Sequence, residues 1–299
     1  MGRCIYLNGK FVNTREEALI SAYDHGFLYG DGIFEGIRVY NGRVFKLHEH
    51  IERLYHSAIS LMINIPMSME EMEKAVVETC QRSGMDNIYV RLVVSRGPGD
   101  FGLDPRKCPK PTVVIMADEI SLYPKDKYEK GLKVVTCSTR RNRPDCINSQ
   151  IKSLNYLNNI LAKIETVKYG ADEGVMLNDA GYVCEATADN IFIIKNAKKL
   201  FTPPAYLGLL EGITRDTVMN IAKELGYEVI EMPFTVHEIY ASQECFLTGS
   251  GAELIPVIEI DGRLVGDGKP GKHFKKLLDA YQKMTHSQGV PIKSATVSV

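Results

Sequence analysis

The sequence predicts a mixed α/β (α+β) fold that is divided into two domains. Its 299 residues are enough for two packed domains, and both halves contain β-branched runs together with helices of amphipathic spacing. The segment 120–130 has a proline and five charged residues, which is typical of a linker. We therefore expect a smaller N-terminal sheet-plus-helices domain at 1–119 and a larger C-terminal domain at 131–299.

Strands dominate the N-terminal domain. Asn8-Gly9 and Asn41-Gly42 are dipeptides suited to two-residue hairpin turns. Apolar and β-branched runs predict strands at 4–7, 10–12, 32–40, 43–46, 88–95 and 112–117.

Two helices are predicted to cover this sheet. Ser68 and Glu71 fit a capping box, so one helix runs from there to about Ser83, just before Gly84. The other is marked by apolar residues at helical spacing, which are Leu47, Ile51, Leu54, Ala58 and Leu61.

The C-terminal domain repeats the mixture of strands and helices. Strands are predicted at 131–137, 173–177, 190–194, 228–231, 244–247 and 255–260, and Asp261-Gly262 is suited to a hairpin turn. Three helices are marked by apolar spacing, one through Leu157, Ile160, Leu161, Ile164 and Val167, one through Val218, Ile221, Ala222 and Leu225, and one through Phe274, Leu277, Leu278, Tyr281 and Met284. The tail at 286–299 shows no clear period.

Composition excludes several classes of protein. The 36 basic and 37 acidic residues nearly cancel, so no overall charge attracts DNA or an anionic membrane. No apolar run approaches the roughly 18 residues of a spanning helix, and the N-terminus lacks the apolar core of a signal peptide. The seven cysteines never form Cys-x-x-Cys, which favours a reducing cytosol over a disulfide framework. We expect a cytoplasmic protein without nucleic-acid or membrane partners.

The stretch 148–159 contains the residue best suited to covalent chemistry. Lys152 lies between Ile151 and Leu154 among uncharged polar residues, and no acid stands nearby to pair with it. Loss of solvation disfavours the ammonium form, and a neutral amine can attack a carbonyl to form a Schiff base. On this segment alone, a solvated surface lysine remains the alternative.

A second candidate lies on the helix that starts at Leu47. His48, Glu52 and His56 are spaced four residues apart on one face, which a metal could use. The alternative is a solvated polar face with a surface pair between Glu49 and Arg53. Arg53 could instead present its guanidinium to a phosphate.

Two further patterns suggest anion binding. Tyr89 and Arg91 point to the same face of a predicted strand and suit a carboxylate, although an ordinary exposed strand face explains them equally well. The turn Gly212-Ile213-Thr214-Arg215 before a helix, and the turn Gly249-Ser250-Gly251-Ala252 after a strand, offer backbone amides to a phosphate. At the first turn, a plain helix start with Thr214 as N-cap is the alternative.

Taken together, these motifs resemble the pyridoxal-phosphate enzymes of fold type IV. The similarity runs from Tyr29-Gly-Asp-Gly-Ile-Phe-Glu-Gly-Ile-Arg38 through Gly-Ser-Gly-Ala-Glu253 to Ile-Pro-Val257. The family includes branched-chain aminotransferases, D-amino acid aminotransferases and aminodeoxychorismate lyases. The resemblance implies a β-barrel-like C-terminal domain that binds pyridoxal 5′-phosphate, and a homodimer or dimer-based hexamer whose active site takes residues from both subunits.

The resemblance also assigns residues to the cofactor. Lys152 matches the lysine that holds the cofactor as a Schiff base and moves the proton between Cα and C4′. Glu185, in Glu-Ala-Thr-Ala-Asp-Asn-Ile-Phe, matches the acid that keeps the pyridine nitrogen protonated. Tyr156, one helical turn beyond Lys152, matches the phenol on the ring oxygen, and Leu210 matches the apolar residue under the ring. The residues that match the phosphate cup are Arg53, Ile213, Thr214 and Ser250.

Substrate residues follow in the same way. Tyr89 and the amides at Ser250-Gly251 match the groups that hold the α-carboxylate. Arg91, with a tyrosine like Tyr29 from the partner subunit, matches the site for the distal carboxylate of glutamate. The remaining residues assigned to the substrate are Phe34, Gly36 and Arg38.

The substrate class is inferred from one difference between this sequence and the D-amino acid enzymes. The segments around Arg53 and Lys152 read at least as close to the D-amino acid enzymes. The loop after Arg96, however, lacks the Arg/His pair with which those enzymes trap the carboxylate. The resemblance therefore implies transamination of leucine, isoleucine and valine with 2-oxoglutarate. D-alanine transamination is the alternative, and Arg91 disfavours the lyase.

Overall fold

A computed structural model describes residues 3–196 and 198–293. The chain divides into two compact units. The first unit comprises Met1–Ile120, Ile151–Asn155 and Thr285–Val299, and the second comprises Ser121–Gln150 and Tyr156–Met284. The predicted domain limits at 119 and 131 stay a prediction, and the last six residues of the predicted tail lie outside the described residues.

The strands of the described residues are numbered in chain order. They are β1 Cys4–Leu7, β2 Lys10–Val12, β3 Gly32–Tyr40, β4 Arg43–Val44, β5 Ile88–Ser95, β6 Thr112–Asp118, β7 Leu132–Thr136, β8 Glu173–Leu177, β9 Val183–Ala186, β10 Asn190–Lys195, β11 Lys199–Thr202, β12 Glu228–Glu231, β13 Glu244–Gly249, β14 Glu253–Ile260, β15 Arg263–Leu264 and β16 Val290–Pro291.

The α-helices are numbered in the same way. They are α1 His25–Tyr29, α2 Leu47–Leu61, α3 Met69–Ser83, α4 Lys125–Lys130, α5 Leu157–Lys168, α6 Ile213–Glu224, α7 Val236–Tyr240 and α8 Lys272–Ser287, with short 3-10 helices at Pro105–Lys107 and Ala205–Leu207. Within the described residues, no helix is both long and apolar enough to cross a bilayer.

The first unit is built on an antiparallel sheet with the strand order β16-β4-β3-β5-β6-β1-β2. Both predicted hairpin turns are confirmed. Asn8, Gly9, Asn41 and Gly42 all have positive φ, between 48° and 92°. This is the conformation that type I′ turns need and that Asn-Gly adopts most easily.

Helices α2 and α3 pack on this sheet, as predicted. Leu47, Ile51 and Leu54 of α2 are buried in one core with Ile33 and Ile37 of β3. Each fully buried side chain of this kind contributes roughly 1.5–3 kcal/mol to folding. The capping box at the start of α3 is also confirmed, because the Ser68 side chain accepts from the Glu71 N–H and the Glu71 side chain accepts in return.

The second unit contains a mixed sheet with the order β12-β11-β10-β13-β14-β7-β8-β9, to which β15 is added beside β14. Three pairs are parallel, β11 with β12, β14 with β7 and β7 with β8. The core behind it includes Leu132, Val175, Ile191, Leu247 and Ile255. Helix α4 lies where linker composition gave no helix, and Tyr123 and Tyr128 pack against this core.

Helix α5 forms where it was predicted, but its apolar residues do not face the core. The buried positions are Asn159, Ala162 and Thr166. The exposed positions are the aliphatic ones that predicted the helix, Leu157, Ile160, Leu161, Ile164 and Val167. Spacing predicts that a helix has an apolar stripe, yet it does not say what covers that stripe. We call these five residues the α5 stripe.

Candidate active site

The backbone around Lys152 is pinned to strand β3. The Phe34 N–H donates to the Lys152 carbonyl over 2.9 Å, and the Leu154 N–H donates to the Gly32 carbonyl over 2.8 Å. The Lys152 N–H donates to Ser57 Oγ over 3.2 Å. The segment is therefore extended, and α5 starts only at Leu157 with Tyr156 as its N-cap. The expected helical turn between Lys152 and Tyr156 was wrong.

The Lys152 side chain is half-buried against an aromatic ring. Its Nζ lies 4.6 Å from the ring centroid of Phe34. The guanidinium carbon of Arg91 lies 4.5 Å from the same centroid. The Lys152 amine and the Arg91 guanidinium thus lie against one phenyl ring, and both groups can bind an anion.

Strands β3 and β5 place the predicted substrate residues on one face. Gly36 pairs with Arg91, and Arg38 pairs with Tyr89. A Cβ atom on Gly36 would come within 2.2 Å of the Tyr89 hydroxyl oxygen, so only glycine leaves this space to the phenol. The prediction that Tyr89 and Arg91 project together is confirmed by the strand register.

Arg38 lies beside Tyr89 in the sheet, and Tyr29 belongs to the same unit. The guanidinium carbon of Arg38 is 4.9 Å from the ring centroid of Tyr40. Tyr29 ends the short helix α1, is 37% exposed, and its hydroxyl accepts a hydrogen bond from the Gly102 N–H over 3.1 Å. Neither α1 nor this contact was predicted, because five residues are too few to show a helical period.

Arg53 is engaged with a buried acid from the neighbouring strand. Its Nε and Nη2 donate to the two carboxylate oxygens of Glu35, each over 2.7 Å. The predicted pair between Glu49 and Arg53 was wrong, because Glu49 binds Lys46 instead. Glu35 is 18 positions away in sequence, and helix spacing cannot reveal a partner on a strand.

His50 completes the buried group around Glu35, to which its Nδ1 is hydrogen-bonded over 2.7 Å. Burial opposes ionisation of Glu35, but Arg53 and His50 outweigh it, so the pKa of Glu35 lies well below its usual range. Burial lowers the pKa of His50, and it outweighs the opposing effect of Glu35. The group therefore contains an ionised acid beside a neutral imidazole that donates Nδ1–H.

This arrangement predicts a pH dependence of stability. Because His50 has a lowered pKa in the fold, unfolding takes up a proton below about pH 6.5, and stability falls as the pH decreases further. Glu35 adds to the loss below about pH 4.5. We expect His50→Asn to remove up to about 1.4 kcal/mol of loss per pH unit from the slope below pH 6.5. Urea unfolding between pH 7.5 and 5.5 measures this slope.

The exposed His56, on the same helix, provides the control. His56→Asn should keep the wild-type slope. Equal slopes for wild type and His50→Asn would contradict the assignment of acid sensitivity to the buried imidazole.

The structure gives no support to a metal site on α2. His48 contacts Glu73 of α3, with 2.8 Å between Nδ1 and Oε1. Across residues 3–196 and 198–293, no group of three or more His, Cys, Asp or Glu side chains is placed to hold a metal ion.

In the second unit, Glu185 lies buried on β9 among hydrogen-bond donors. Arg141 Nε donates to its Oε1 over 2.7 Å. The Leu210 N–H and Asn190 Nδ2 donate to its Oε2 over 3.1 Å and 3.3 Å. Arg141 and Asn190 were missed from the sequence, since no local pattern links Arg141 to an acid 44 positions away.

Helix α6 begins shortly after Leu210. Gly212 is its N-cap and makes no side-chain cap, so the alternative with Thr214 as N-cap was wrong. A Cβ on Gly212 would come within 2.0 Å of Asn190 Oδ1. Because no side chain caps this end, the first N–H groups of the helix, those of Ile213 and Thr214, point out of it together with the positive end of its dipole.

The turn between β13 and β14 carries the last two predicted residues. Ser250 and Gly251 are half-buried there. Gly249 precedes them, and a Cβ on it would come within 2.0 Å of Asp189 Oδ1. This close approach explains why the strand ends in glycine, and it packs the turn beside the segment that follows Glu185.

Comparison with known proteins decides the family. The family model described as amino-transferase class IV matches residues 32–260. The chain belongs to the class IV aminotransferases. This class IV aminotransferase is 50% identical over 288 residues to a putative branched-chain-amino-acid aminotransferase of Methanocaldococcus jannaschii, covering 96% of this chain and 98% of that protein.

Solved structures agree with this placement. The chain matches the branched-chain amino acid aminotransferase of Escherichia coli with a TM-score of 0.92 and 30% identity, covering 100% of this chain and 98% of that one. It also matches the T.th. branched-chain amino acid aminotransferase complexed with N-(5′-phosphopyridoxyl)-L-glutamate. The TM-score is 0.89 and the identity 36%, and the match covers 95% of this chain and 94% of that one. The resemblance to fold type IV and the mixed α/β fold class are confirmed.

Proposed function

We propose that this chain transfers the amino group of leucine, isoleucine or valine to 2-oxoglutarate, with pyridoxal 5′-phosphate as cofactor. The products are branched-chain 2-oxo acids and L-glutamate. The observation that carries this proposal is the face formed by Phe34, Tyr89, Arg91 and Lys152, where an amine and a guanidinium share one aromatic ring. The relative crystallised with a phosphopyridoxyl-glutamate adduct supports the same cofactor and the same acidic substrate.

The residues assigned to the cofactor fit its separate parts. Lys152 supplies an amine, held by its backbone to β3, that can join the cofactor's aldehyde. Glu185 supplies an acceptor for the protonated ring nitrogen. Tyr156 would bind the ring oxygen and Leu210 would pack against the ring. The residues proposed for the phosphate are Arg53, Ile213, Thr214 and Ser250.

When bound, the cofactor withdraws the electrons that remain on the substrate's Cα after a proton leaves. Lys152 Nζ is the group we assign to that proton, because a primary amine at this position could accept it and return it. The Phe34 ring keeps water from one side of this amine, since it lies against Nζ. Glu185 keeps the ring able to accept electrons.

Substrate selection follows from the same face. The Tyr89 hydroxyl, with the amides at Ser250-Gly251, is proposed to hold the α-carboxylate. Phe34 and the space over Gly36 suit an aliphatic side chain, and Arg91 suits a second carboxylate. Arg38 borders this region, and Tyr29 is proposed to act from the partner subunit.

A panel of donors and acceptors with the purified protein tests this function. L-leucine, L-isoleucine and L-valine should each convert 2-oxoglutarate into L-glutamate, whereas D-alanine should not. Substantial activity with D-alanine alone would reverse the choice of substrate, and release of pyruvate from aminodeoxychorismate would indicate a lyase.

Gly36→Ala tests the space beneath Tyr89. The added methyl group forces the phenol to move, while the backbone of β3 stays as it is, because Gly36 does not have positive φ. We expect KM for L-leucine to rise about tenfold, the effect of losing roughly 1.4 kcal/mol of carboxylate binding. Steady-state kinetics measure this KM, and a thermal melt checks that the variant keeps its stability. An unchanged KM would place the carboxylate elsewhere.

We also propose that the chain acts in the cytoplasm as a homodimer or as a hexamer built from dimers. None of its seven cysteines, all of which lie in the described residues, forms a disulfide, in keeping with a reducing compartment. The α5 stripe supports a second copy as partner, because monomers rarely expose a contiguous apolar patch of this kind.

The charges of α5 favour the same partner. Lys163 pairs with Glu173, and Glu165 accepts from the N–H groups of Ser138 and Thr139, so these charges are satisfied within the chain. Apart from Lys168 at the end of the helix, what remains outward is an aliphatic row that complements itself about a two-fold axis.

Ile164→Lys should therefore weaken the dimer. Each copy loses about 1.5–3 kcal/mol of burial, and a two-fold interface loses it twice, so the dimer dissociation constant should rise at least about a hundredfold. Sedimentation velocity measures it. The control is Ile59→Lys, at an isoleucine of α2 that is 73% exposed, against 58% for Ile164. A monomeric wild type, or equal effects of the two variants, would contradict the proposed interface.

A further inference from the structure

The partners of Glu185 restrict its protonation state. The Arg141 guanidinium and the Leu210 N–H can only donate hydrogen bonds. The Asn190 amide has its nitrogen toward Glu185, because the same nitrogen donates to the Leu210 carbonyl over 2.8 Å. A carboxylate offers about four acceptor positions, and these donors take at least three of them. The carboxyl group is therefore held as an ionised acceptor.

Arg141 is itself held in place by two amides of α5. Its Nη1 donates to Asn158 Oδ1 over 3.1 Å and to Asn159 Oδ1 over 3.3 Å. The amide nitrogens of these residues donate to the carbonyls of Arg140 and Thr187, over 2.8 Å and 2.7 Å, so their oxygens face the guanidinium. The Arg141 side chain is 8% exposed and that of Glu185 is 5% exposed. The pair is thus both buried and fixed.

We propose that Arg141 is a positioning residue that keeps Glu185 ionised and aims its remaining acceptor position at the ring nitrogen of the cofactor. This inference rests on the proposed function, in which Glu185 binds that nitrogen. A buried carboxylate that loses its cation takes up a proton, since burial disfavours the uncompensated charge. That proton would come from the ring nitrogen, so the carboxylic acid would donate to an unprotonated nitrogen instead of accepting from a protonated one.

The charge of Arg141 acts mainly on the carboxylate. The guanidinium contacts Glu185 directly, whereas the ring nitrogen would lie beyond the carboxylate oxygen that binds it. Attraction to the carboxylate therefore outweighs repulsion of the protonated ring, because Coulomb energy falls with distance.

The test replaces the guanidinium with an apolar side chain of similar length. Wild type, Arg141→Met and the control Arg143→Met are loaded with pyridoxal phosphate that carries ¹⁵N in the ring. Arg143 lies two residues away, is exposed and pairs with Asp145. We expect the ¹⁵N resonance of wild type and Arg143→Met at the position of protonated pyridine, and that of Arg141→Met at the position of unprotonated pyridine.

Affinity for two cofactors separates positioning from a merely structural role. Arg141→Met should weaken pyridoxal phosphate at least about tenfold. It should weaken 1-deazapyridoxal phosphate, which has no ring nitrogen, less than about twofold. A protonated resonance in folded Arg141→Met, or equal weakening of the two cofactors, would overturn the proposal.

If Arg141→Met does not fold without cofactor, Arg141→Lys takes its place. The lysine retains a positive charge, so a protonated nitrogen is expected there and an unprotonated one would overturn the proposal. If wild type binds no pyridoxal phosphate, the proposed function itself fails. A wild type with a protonated nitrogen and an unaffected Arg141→Met overturns only this inference.

Discussion

Lys152→Ala is expected to abolish transamination, with kcat lowered by at least about 10⁴-fold. The variant loses both the amine proposed to join the cofactor and the base proposed to move the proton, and general base catalysis alone contributes up to about 10⁴-fold. The visible absorbance of the bound cofactor should shift to that of an unattached aldehyde. Borohydride reduction of the wild type, followed by peptide mapping, should label Lys152.

Lys168→Ala is the matched control, because Lys168 is an exposed lysine at the end of α5 and lies against Tyr169. It should retain wild-type rates and absorbance. Labelling of any other lysine in the wild type would contradict the assignment of Lys152 as the lysine that joins the cofactor. Activity in Lys152→Ala above about one per cent of wild type would contradict it as well.

Arg91→Met should slow the half-reaction of L-glutamate and 2-oxoglutarate much more than that of L-leucine. Hydrogen bonds to charged groups contribute about 1.5–3 kcal/mol, so loss of the guanidinium should lower kcat/KM for L-glutamate and 2-oxoglutarate about a hundredfold. The L-leucine half-reaction should change less than about threefold, because methionine still packs on Phe34 and leucine has no second carboxylate. Single-turnover absorbance measurements resolve the two half-reactions.

A second arginine on a phenyl ring controls for the loss of stacking. The guanidinium carbon of Arg82 lies 4.2 Å from the Phe11 ring centroid, on the outer helix α3. Arg82→Met removes the same kind of contact and should leave both half-reactions unchanged. Equal losses for leucine and glutamate in Arg91→Met would instead indicate that Arg91 holds the α-carboxylate.

The parts of this fold that could be predicted from sequence are those determined by near neighbours. Asn8-Gly9 and the capping box of Ser68 and Glu71 depend on residues within a few positions, and both form as predicted. Tyr89 and Arg91 share a face because strand periodicity requires it. Helix α5 was predicted as well, because apolar residues at helical spacing indicate a helix whether they are buried or exposed.

The rest depends on residues far apart in the chain. Arg53 meets Glu35 rather than Glu49, and Arg141 meets Glu185, 44 positions away, because strand pairing and helix packing bring them together. No local period encodes such partners. The short helix α1 and the extended path at Lys152 were missed for a related reason, since hydrogen bonds to β3 and to the loop near Gly102 fix them.

The two sides of strand β3 make different contacts. Phe34 and Gly36 lie on the side of Lys152 and Tyr89, while Glu35, on the other side, binds Arg53 and His50. A one-residue insertion or deletion between 32 and 40 would exchange the sides, placing an acid beside the amine and a phenyl ring against Arg53 and His50. Laboratory evolution of the substrate range should therefore select point substitutions at positions 34, 36 and 38. Insertions or deletions within this strand should abolish both folding and activity.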